Sequence, residues 1–354
     1  MSSAEPTSGS SAAASLDASE SGSESRLLVD GFGRRHNNLR ISVTDRCNIR
    51  CFYCMPADSV EFMPKAELLT FEEIERVVRV GTTLGIDRVR LTGGEPLVRR
   101  DLPRLVERLA AIAGIIDIGL TTNGVLLRQY AQPLRDAGLR RLNISLDALD
   151  PKIFQQVTRR DCYDSVMDGI QAAREAGFSP IKLNAVSVRG LTESQILPFA
   201  RLARETDTDV RFIEFMPLDA DSQWQRDRVL PAAEILAAIE AEFGRLLPVA
   251  SDNPNAPAQD YQFADGRGRI GLIASVSQPF CRSCNRFRLT AEGKLRNCLF
   301  SHDETDVRTI LRNHGADQEI ALAMLASIAA KGEGHEINMA GFVQPQRPMY
   351  SIGG

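Results

Sequence analysis

Six of the seven cysteines in this 354-residue chain fall into two groups of three. The groups are Cys47, Cys51 and Cys54, in a CxxxCxxC run, and Cys281, Cys284 and Cys298, near the other end of the chain. Three thiolates can hold a four-iron cluster and leave one iron open, whereas electron-transfer clusters usually have a fourth cysteine. The spacing therefore predicts two [4Fe–4S] clusters, each with an open iron at which a small molecule can bind.

Structural zinc and disulfide bonds are the alternatives. Zinc sites are closed by four Cys or His ligands, and of the four histidines His302 alone is near a cysteine group, close to Cys298. Disulfides are typical of secreted chains, and nothing in this sequence marks secretion. Cys162 stands apart from both groups, and we interpret it as an ordinary thiol.

The composition is that of a globular cytoplasmic protein. Hydrophobic residues make up 43% and charged residues 25%, with a net charge of −4 and 6% aromatic residues. The negative net charge and the low aromatic content argue against a nucleic-acid partner. No apolar run reaches the length of a membrane span. Residues 1–25 are rich in Ser, Ala, Gly and Glu, which predicts a disordered tail without a signal or transit peptide.

The elements that must position the cysteines alternate between strands and helices from residue 39 to about residue 245. Runs of branched residues predict strands at 40–44, 88–92, 116–121, 141–146, 181–188 and 210–215. Helical spacing predicts helices at 71–84, 102–112, 125–137, 163–176, 193–204 and 232–243. Repeated βα units give parallel strands, so we expect an α/β fold in which residues 26–245 form a partial (β/α)6 TIM-like barrel.

The chain beyond residue 245 has a different pattern. A linker rich in Pro and Asn leads to the second cysteine group, so residues 246–354 are predicted to form a C-terminal iron–sulfur domain that caps the barrel mouth. Residues 266–271 match GxGxxG. They lead into a strand-like run and not into a helix, which predicts a hairpin turn and not a dinucleotide site.

Small or polar residues follow most of the predicted strands. These segments begin at Thr44, Gly93, Thr122, Ser145 and Glu214, and the first cysteine run lies on the same rim. In βα barrels the loops at the carboxyl ends of the strands form the active site. The sequence therefore predicts that these loops meet at one mouth.

The motifs resemble those of the radical S-adenosylmethionine enzymes. The CxxxCxxC run, with an aromatic residue before its last cysteine, and the Gly-Gly-Glu-Pro run that begins at Gly93 carry this resemblance. The resemblance narrows to the GTP 3′,8-cyclase family of molybdenum cofactor biosynthesis over about residues 30–354. The runs that narrow it are LRISVTDRC at 39–47, LTGGEPLVRR at 91–100, TTNG at 121–124, NISLD at 143–147, CRSCNRFRLT at 281–290 and the terminal Gly353-Gly354.

The resemblance implies a role for each matching residue. It makes the six cysteines the ligands of two [4Fe–4S] clusters. It implies S-adenosylmethionine binding by Tyr53, Gly94, Ser145 and Met216. It implies GTP binding by Arg40, Arg90, Thr121, Lys182, Arg286, Phe287 and Arg288, and catalytic roles for Arg40, Gly353 and Gly354.

The residues themselves support part of this assignment. Arg90 and Lys182 lie inside runs of branched residues, where an unpaired charge would be costly, so we expect both to face the mouth. Arg286 and Arg288 share one side if the chain there is extended. Gly94 lets backbone and cofactor approach closely.

The resemblance also implies a reaction. The open iron of the first cluster binds S-adenosylmethionine, and one electron releases a 5′-deoxyadenosyl radical that takes the 3′-hydrogen of GTP, after which C3′ attacks C8. It further implies a flavodoxin- or ferredoxin-type reductant, a downstream cyclic pyranopterin synthase as pathway partner, and a homodimer. The alternatives are a peptide-modifying radical enzyme with an auxiliary cluster and a non-catalytic iron–sulfur or zinc protein that senses redox state.

Overall fold

The computed structural model describes residues 27–251 and 253–353. The predicted disordered tail of residues 1–25 and the terminal Gly354 lie outside this part of the chain. Among the helices of the described residues, none has the length and apolar character needed to cross a membrane.

Strands and helices alternate through the first two thirds of the chain, as the hydrophobic spacing predicts. In chain order they are β1 (Asn38–Ser42), α1 (Phe71–Thr83), β2 (Arg88–Thr92), α2 (Leu102–Ala110), β3 (Asp117–Thr122), α3 (Leu127–Asp136), β4 (Arg141–Ser145), α4 (Pro151–Thr158), α5 (Tyr163–Glu175), β5 (Ile181–Ser187), α6 (Glu193–Glu205), β6 (Thr208–Glu214) and α7 (Ala232–Phe243). The predicted elements are confirmed with small shifts at their ends. The short helix α4 is the element of this region that the pattern does not predict.

The strands of the C-terminal part join the same sheet. The remaining elements are β7 (Leu247–Val249), β8 (Gln259–Gln262), β9 (Arg269–Ile273), β10 (Arg286–Leu289), β11 (Lys294–Arg296), β12 (Thr305–Asp306), α8 (Arg308–Arg312), α9 (Asp317–Ala329) and α10 (Met349–Ile352). The strand order in the described residues is β12-β11-β10-β1-β2-β3-β4-β5-β6-β9-β8-β7. Strand β9 pairs in parallel with β6, and β10 pairs in parallel with β1. C-terminal strands therefore extend both edges of the six-unit partial barrel.

Local signals define where the helices begin and end. Helix α1 begins with a capping box in which Glu73 N donates to Thr70 Oγ1 at 3.1 Å and Thr70 N donates to Glu73 Oε2 at 2.7 Å. Gly85, Gly138 and Gly177 follow α1, α3 and α5 with φ angles of 88°, 100° and 78°. A residue without Cβ adopts this left-handed conformation at little cost, so each glycine ends its helix.

The GxGxxG run lies in a hairpin, as predicted. Strands β8 and β9 pair in antiparallel fashion, and Gly266 N donates to Phe263 O at 2.9 Å in the turn between them. A strand follows the glycines where a dinucleotide site would need the start of a helix.

Each barrel strand has one apolar face and one face that carries the site. Leu39 and Ile41 of β1 belong to the main hydrophobic core, together with Ile74 and Val77 of α1. Because successive strand side chains point to opposite faces, Arg40 faces away from the helices and lines a cavity inside the sheet. The core packing of the helices therefore decides which strand residues are available to a ligand.

Candidate active site

The first cysteine loop follows the carboxyl end of β1 and contacts α4. Arg50 N donates to Thr158 O at 2.9 Å, and a turn joins Cys54 N to Cys51 O at 2.9 Å. Arg50 Nη1 also donates to the carbonyl oxygen of Cys47 at 2.7 Å. The conformation of this loop thus depends on a helix about a hundred residues away in the sequence.

The thiols of this loop lie beside acidic side chains, with Cys51 buried and Cys47 and Cys54 half-buried. Burial raises the pKa of Cys47 to about 11, and Glu95 adds to the shift. Burial, with Asp147 adding to it, raises the pKa of Cys51 well above its usual value. Burial also raises the pKa of Cys54. Before iron binds, these groups are protonated at neutral pH, so cluster assembly must release protons.

The second cysteine set has cationic neighbours. Cys284 N donates to Cys281 O at 3.1 Å, and Lys331 Nζ lies 3.7 Å from Cys284 Sγ. Burial alone would raise the pKa of Cys284, but the charges of Lys331 and Arg286 outweigh it and lower the pKa to about 7. Such a thiol is readily available as the thiolate that binds metal.

All six cysteines line one cavity of about 810 Å³. The first set follows the carboxyl end of β1, whereas Cys284 precedes the amino end of its parallel neighbour β10. The two sets therefore lie toward opposite ends of these strands, roughly 16 Å apart for a strand of this length.

The donor chemistry fits a cluster at each end of the cavity. Each set offers three thiols, and the sulfurs within a set lie within electrostatic reach of one another. Cysteine thiolates are the usual ligands of iron–sulfur clusters. No three His, Cys, Asp or Glu side chains between residues 27 and 353, Asp252 aside, are placed to hold a single metal ion. The two cysteine sets therefore fit iron–sulfur clusters by the type and number of their thiol ligands, and not by a geometry preformed for a single ion.

Two glycines bring the loop after β2 against the first cysteine loop. Gly93 has a φ of 144°, and a Cβ there would overlap Thr44 O. A Cβ on Gly94 would overlap Arg46 O, and Gly94 N donates to Thr44 O at 2.8 Å. Gly94 lines the cavity as predicted. The structure supplies a further reason for glycine at this position. The backbone of Gly94 packs closely against the backbone of Arg46, the residue before Cys47.

Glu95 connects the ends of β2 and β3. It accepts hydrogen bonds from Leu97 N at 2.9 Å, Thr122 Oγ1 at 2.7 Å and Asn123 N at 2.7 Å. Burial raises its pKa to about 7. Asn123 Nδ2 in turn lies 3.8 Å from Cys47 Sγ. The carboxylate thus holds the rim around the first cysteine set.

The residues predicted to bind S-adenosylmethionine all line the cavity; they are Tyr53, Gly94, Ser145 and Met216. Tyr53 OH donates to Asp147 Oδ2 at 2.7 Å, and Asp147 Oδ1 accepts from Val186 N at 2.8 Å. Burial raises the pKa of Asp147 to about 6. Asp147, which the sequence prediction did not include, therefore orients the ring of Tyr53.

Three neighbouring strands carry a layer of arginine side chains. Arg288 of β10, Arg40 of β1 and Arg90 of β2 are direct partners in the sheet register. Burial lowers the pKa of Arg40 well below its usual value, that of Arg90 to about 9 and that of Arg288 to about 10. Arg40 Nε, Arg90 Nη1 and Arg288 Nε have no hydrogen-bond partner among the described residues. Buried donors without acceptors favour an anionic ligand.

The other predicted GTP contacts divide into two groups. Thr121, Lys182 and Arg286 line the cavity, and Lys182 Nζ forms an ion pair with Asp209 Oδ2 at 2.7 Å. Phe287 is fully buried in the hydrophobic core on the other face of β10. Its side chain therefore does not reach the cavity. Successive side chains of a strand point to opposite faces, which explains why Arg286 lines the cavity and Phe287 does not.

Sequence reasoning did not include several cations of the cavity. Arg141 of β4 and Arg211 of β6 also line it, and Arg211 Nε has no partner within the described chain. Like Arg90, Arg211 is a charge inside a run of branched and aromatic residues, and this pattern would have identified it. No local signal marks Lys331, because only the tertiary fold brings it to Cys284.

The C-terminal segment reaches the carboxyl ends of β1 and β2. Ser42 Oγ donates to Ile352 O at 2.6 Å. Gly353 has a φ of 84°, and a Cβ there would overlap Ser42 Oγ. The backbone N–H of Tyr350 lies near the sulfur of Cys54 and partly offsets the rise that burial causes in its pKa. The segment thus lies beside the first cysteine set, two residues along β1 from Arg40.

Two family models match consecutive parts of the chain. A Radical SAM superfamily model matches residues 41–203, and a Molybdenum Cofactor Synthesis C model matches residues 208–337. Solved structures of similar fold include native anSMEcpe with bound AdoMet, at a TM-score of 0.57 and 17% identity over 85% of this chain and 82% of that one. SuiB of Streptococcus suis has a TM-score of 0.56 and 13% identity over 88% and 76%. The fold and the cysteine site together define a protein of the radical S-adenosylmethionine class.

Curated relatives narrow the class to one family. The GTP 3′,8-cyclase of Rhodopirellula baltica is 50% identical over 330 residues, which are 92% of this chain and 92% of that protein. The GTP 3′,8-cyclase of Streptomyces coelicolor is 44% identical over 329 residues, 93% and 96% of the two chains. The chain belongs to the GTP 3′,8-cyclase family.

Proposed function

We propose that this protein is a radical S-adenosylmethionine enzyme that cyclises GTP to (8S)-3′,8-cyclo-7,8-dihydroguanosine 5′-triphosphate, the first step of molybdenum cofactor biosynthesis. One observation carries the proposal: the two three-thiol sets line the same cavity as a layer of arginine side chains, each with a nitrogen that has no hydrogen-bond partner among the described residues. A radical reaction on a nucleoside triphosphate needs a cluster site and a polyanion site side by side. Family membership supports the same conclusion.

The first cysteine set serves the cofactor. Cys47, Cys51 and Cys54 would hold one [4Fe–4S] cluster, which would supply the electron for reductive cleavage of S-adenosylmethionine. The hydroxyl of Tyr53 is fixed by Asp147, so the adjoining backbone is held in place beside the cluster. Gly94, Ser145 and Met216 complete this part of the cavity in the proposal.

The arginine layer and the second cysteine set serve the substrate. Cys281, Cys284 and Cys298 would hold a second [4Fe–4S] cluster at the far end of the cavity, and three protein ligands would leave it one iron able to bind a group of the substrate. The rest of the nucleotide is surrounded by one threonine and six basic side chains. These are Arg40, Arg90, Thr121, Lys182, Arg211, Arg286 and Arg288. Guanidinium groups form paired, charge-assisted hydrogen bonds with phosphate. A substrate held between the two sets keeps its ribose near the radical source and excludes water that would favour side reactions.

Several finer predictions belong to this proposal through the family resemblance alone. They are a flavodoxin- or ferredoxin-type reductant, a downstream cyclic pyranopterin synthase as pathway partner, a homodimer and a cytoplasmic location. The division into a barrel of residues 26–245 and a C-terminal domain of residues 246–354 also stays a prediction. The two family models meet between residues 203 and 208, whereas one sheet runs through both parts.

One anaerobic incubation tests the proposed function. Protein reconstituted with iron and sulfide is mixed with dithionite, S-adenosylmethionine and GTP, and the products are read by mass spectrometry. We expect 5′-deoxyadenosine and a product isomeric with GTP, because an electron and a proton replace the hydrogen atom taken from C3′. A peptide-modifying enzyme would cleave S-adenosylmethionine and leave GTP unchanged. A redox sensor would leave both S-adenosylmethionine and GTP unchanged. Either result would overturn the proposal.

A further inference from the structure

A buried carboxylate organises the segment of residues 28–36, which precedes β1. Asp30 Oδ1 accepts hydrogen bonds from Phe32 N at 2.9 Å and Arg34 N at 3.0 Å, and Asp30 Oδ2 accepts from Arg34 Nε at 2.6 Å. His36 Nε2 lies 2.9 Å from the same oxygen. The side chains of Asp30 and His36 are fully buried. These contacts fix the direction in which Arg34 extends.

The other end of Arg34 contacts two distant segments of the chain. Its Nη1 donates to Cys281 O at 2.8 Å and to Glu333 O at 2.5 Å, and its Nη2 donates to Gly332 O at 2.6 Å. The side chain is only 8% exposed. A guanidinium presents five N–H donors in a rigid fork, so it can bind Asp30 and three carbonyl groups at once. A lysine ammonium cannot span these positions.

Both distant segments surround the sulfur of Cys281. A Cβ on Gly334 would lie 3.5 Å from Cys281 Sγ, and the nearby backbone N–H of His335 favours the thiolate form of that sulfur. Arg34 thus binds the carbonyl of the cysteine itself and the loop of residues 332–335 that lies beside its sulfur. It also brings a positive charge to the same thiol.

We propose that Arg34, oriented by Asp30, is a positioning residue for the second [4Fe–4S] cluster. It holds Cys281 and the loop of residues 332–335 in the geometry that binds the cluster and sets its reduction potential. The inference rests on the proposed function, because it requires a cluster at this cysteine set. Mutation of a group that orients a metal ligand typically lowers metal affinity or activity ten- to a hundredfold. Charge and hydrogen bonds near the sulfurs set cluster potentials.

The test compares Arg34→Gln, Arg34→Lys and the control Arg35→Gln, which alters the adjacent exposed arginine. Each protein is reconstituted anaerobically and assayed for iron, for the electron paramagnetic resonance and potential of each cluster, for S-adenosylmethionine cleavage and for cyclised GTP. For both Arg34 variants we expect iron to fall from about eight toward about four per chain on the two-cluster assignment. Any second cluster that Arg34→Gln retains should have a more negative potential, because this variant lacks the positive charge near Cys281.

The remaining readouts separate positioning from general stability. Cleavage of S-adenosylmethionine should persist in the Arg34 variants, while cyclised product should fall at least about tenfold. Arg35→Gln should match the wild type. Wild-type iron, potential and cyclisation in both Arg34 variants would overturn the inference, and so would equal loss of both clusters. Failure of the proposed function is distinct, because the wild type itself would then lack the second cluster or the cyclised product.

Discussion

At the scale of single residues, the cavity concentrates arginine charge that the described residues pair only in part, as Asp209 pairs Lys182. The whole chain has a net charge of −4, yet Arg40 lies among Arg90, Arg286 and Arg288 and feels the repulsion of all three. Burial and this repulsion make the charged layer costly in the free protein. A triphosphate removes the repulsion, so the charges that destabilise the empty cavity provide affinity for the substrate.

Replacing Arg211 by Gln should weaken GTP binding. Burial lowers the pKa of Arg211, and its Nε has no partner in the described residues, so we expect bound GTP to supply the acceptor. Loss of one charged hydrogen bond costs about 1.5–3 kcal/mol, or roughly ten- to a hundredfold in Kd. Equilibrium binding of GTP to the reconstituted protein measures this change. The control Arg201→Gln, on the surface beside Glu242, should bind as the wild type does; an equal Kd for both variants would exclude Arg211 from the site.

Acid should destabilise the protein through His36. Burial lowers the pKa of His36 to about 4, and the charge of Lys331 adds to the shift. An unfolded histidine titrates near 6.5, so between pH 6.5 and 4 the unfolded chain binds a proton that the folded chain does not. The free energy of unfolding therefore falls as the pH falls through this window, by about 2 kcal/mol between pH 7 and pH 5.

Urea unfolding at pH 7 and pH 5 measures this effect. His36→Gln keeps an N–H donor for Asp30 but takes up no proton, so its unfolding free energy should change less between the two pH values. The same acid-induced loss in wild type and variant would assign the pH dependence to other groups.

At the scale of elements, the C-terminal segment is a built part of the site. Arg347 Nη2 donates to Ser351 O at 2.9 Å, and Arg347 Nη1 lies 3.0 Å from Glu304 Oε1. Met349 N donates to Leu218 O at 2.9 Å. Chain ends are commonly frayed unless contacts hold them. Here an ion pair and backbone contacts fix α10 beside β1.

Adding one methyl group at Gly353 should displace this segment. A Cβ would overlap Ser42 Oγ, and the φ of 84° is unfavourable for a residue with a side chain. Gly353→Ala should keep both clusters and S-adenosylmethionine cleavage, while cyclised product falls about ten- to a hundredfold because the reacting groups are misaligned. Deleting Gly353 and Gly354 should have the same effect.

A second glycine supplies the matched control. Gly341 has a φ of 92°, but nothing lies within 4 Å of a Cβ placed there, so Gly341→Ala brings the backbone strain without the collision. It should cyclise GTP as the wild type does. Full turnover by Gly353→Ala and by the shortened chain would show that cyclisation of GTP does not depend on this segment.

At the scale of the whole molecule, one continuous sheet brings two distant cysteine sets to one cavity. Because β10 lies beside β1 in parallel, the second set is placed at the amino end of these strands and the first at the carboxyl end. The surroundings differ too, since Glu95 and Asp147 face the first set and Lys331 faces the second. The two clusters therefore have different electrostatic environments.

The two cysteine sets should separate by role. Replacing Cys281, Cys284 and Cys298 by Ala should leave about four irons on the cubane assignment and S-adenosylmethionine cleavage without cyclised product. Replacing Cys47, Cys51 and Cys54 by Ala should abolish cleavage, because only that set lies beside Gly94. Iron analysis and mass spectrometry of both products provide the readout. Equal loss of cleavage in the two variants, both folded by circular dichroism, would contradict the division.

Much of the barrel could be predicted because its signals are local. The run of residues 88–92 is a strand at the predicted bounds, and the placement of Arg90 and Lys182 in the cavity follows from a charge within an apolar run. Helix α4 escaped prediction because it is short, and its start depends on Asp150, whose Oδ1 accepts from Lys152 N at 2.8 Å. Phe287 was placed by resemblance, whereas strand alternation alone directs it into the core.

The sequence by itself determined the chemistry of this protein, because ligand type, cysteine spacing and strand periodicity act over a few residues. The tertiary structure alone decided which groups meet. The register of β10 against β1 sets Arg288 beside Arg40, and packing across some 250 residues of chain joins Arg34 to Cys281. Such contacts depend on how the whole sheet and its helices pack, and no local pattern encodes that arrangement.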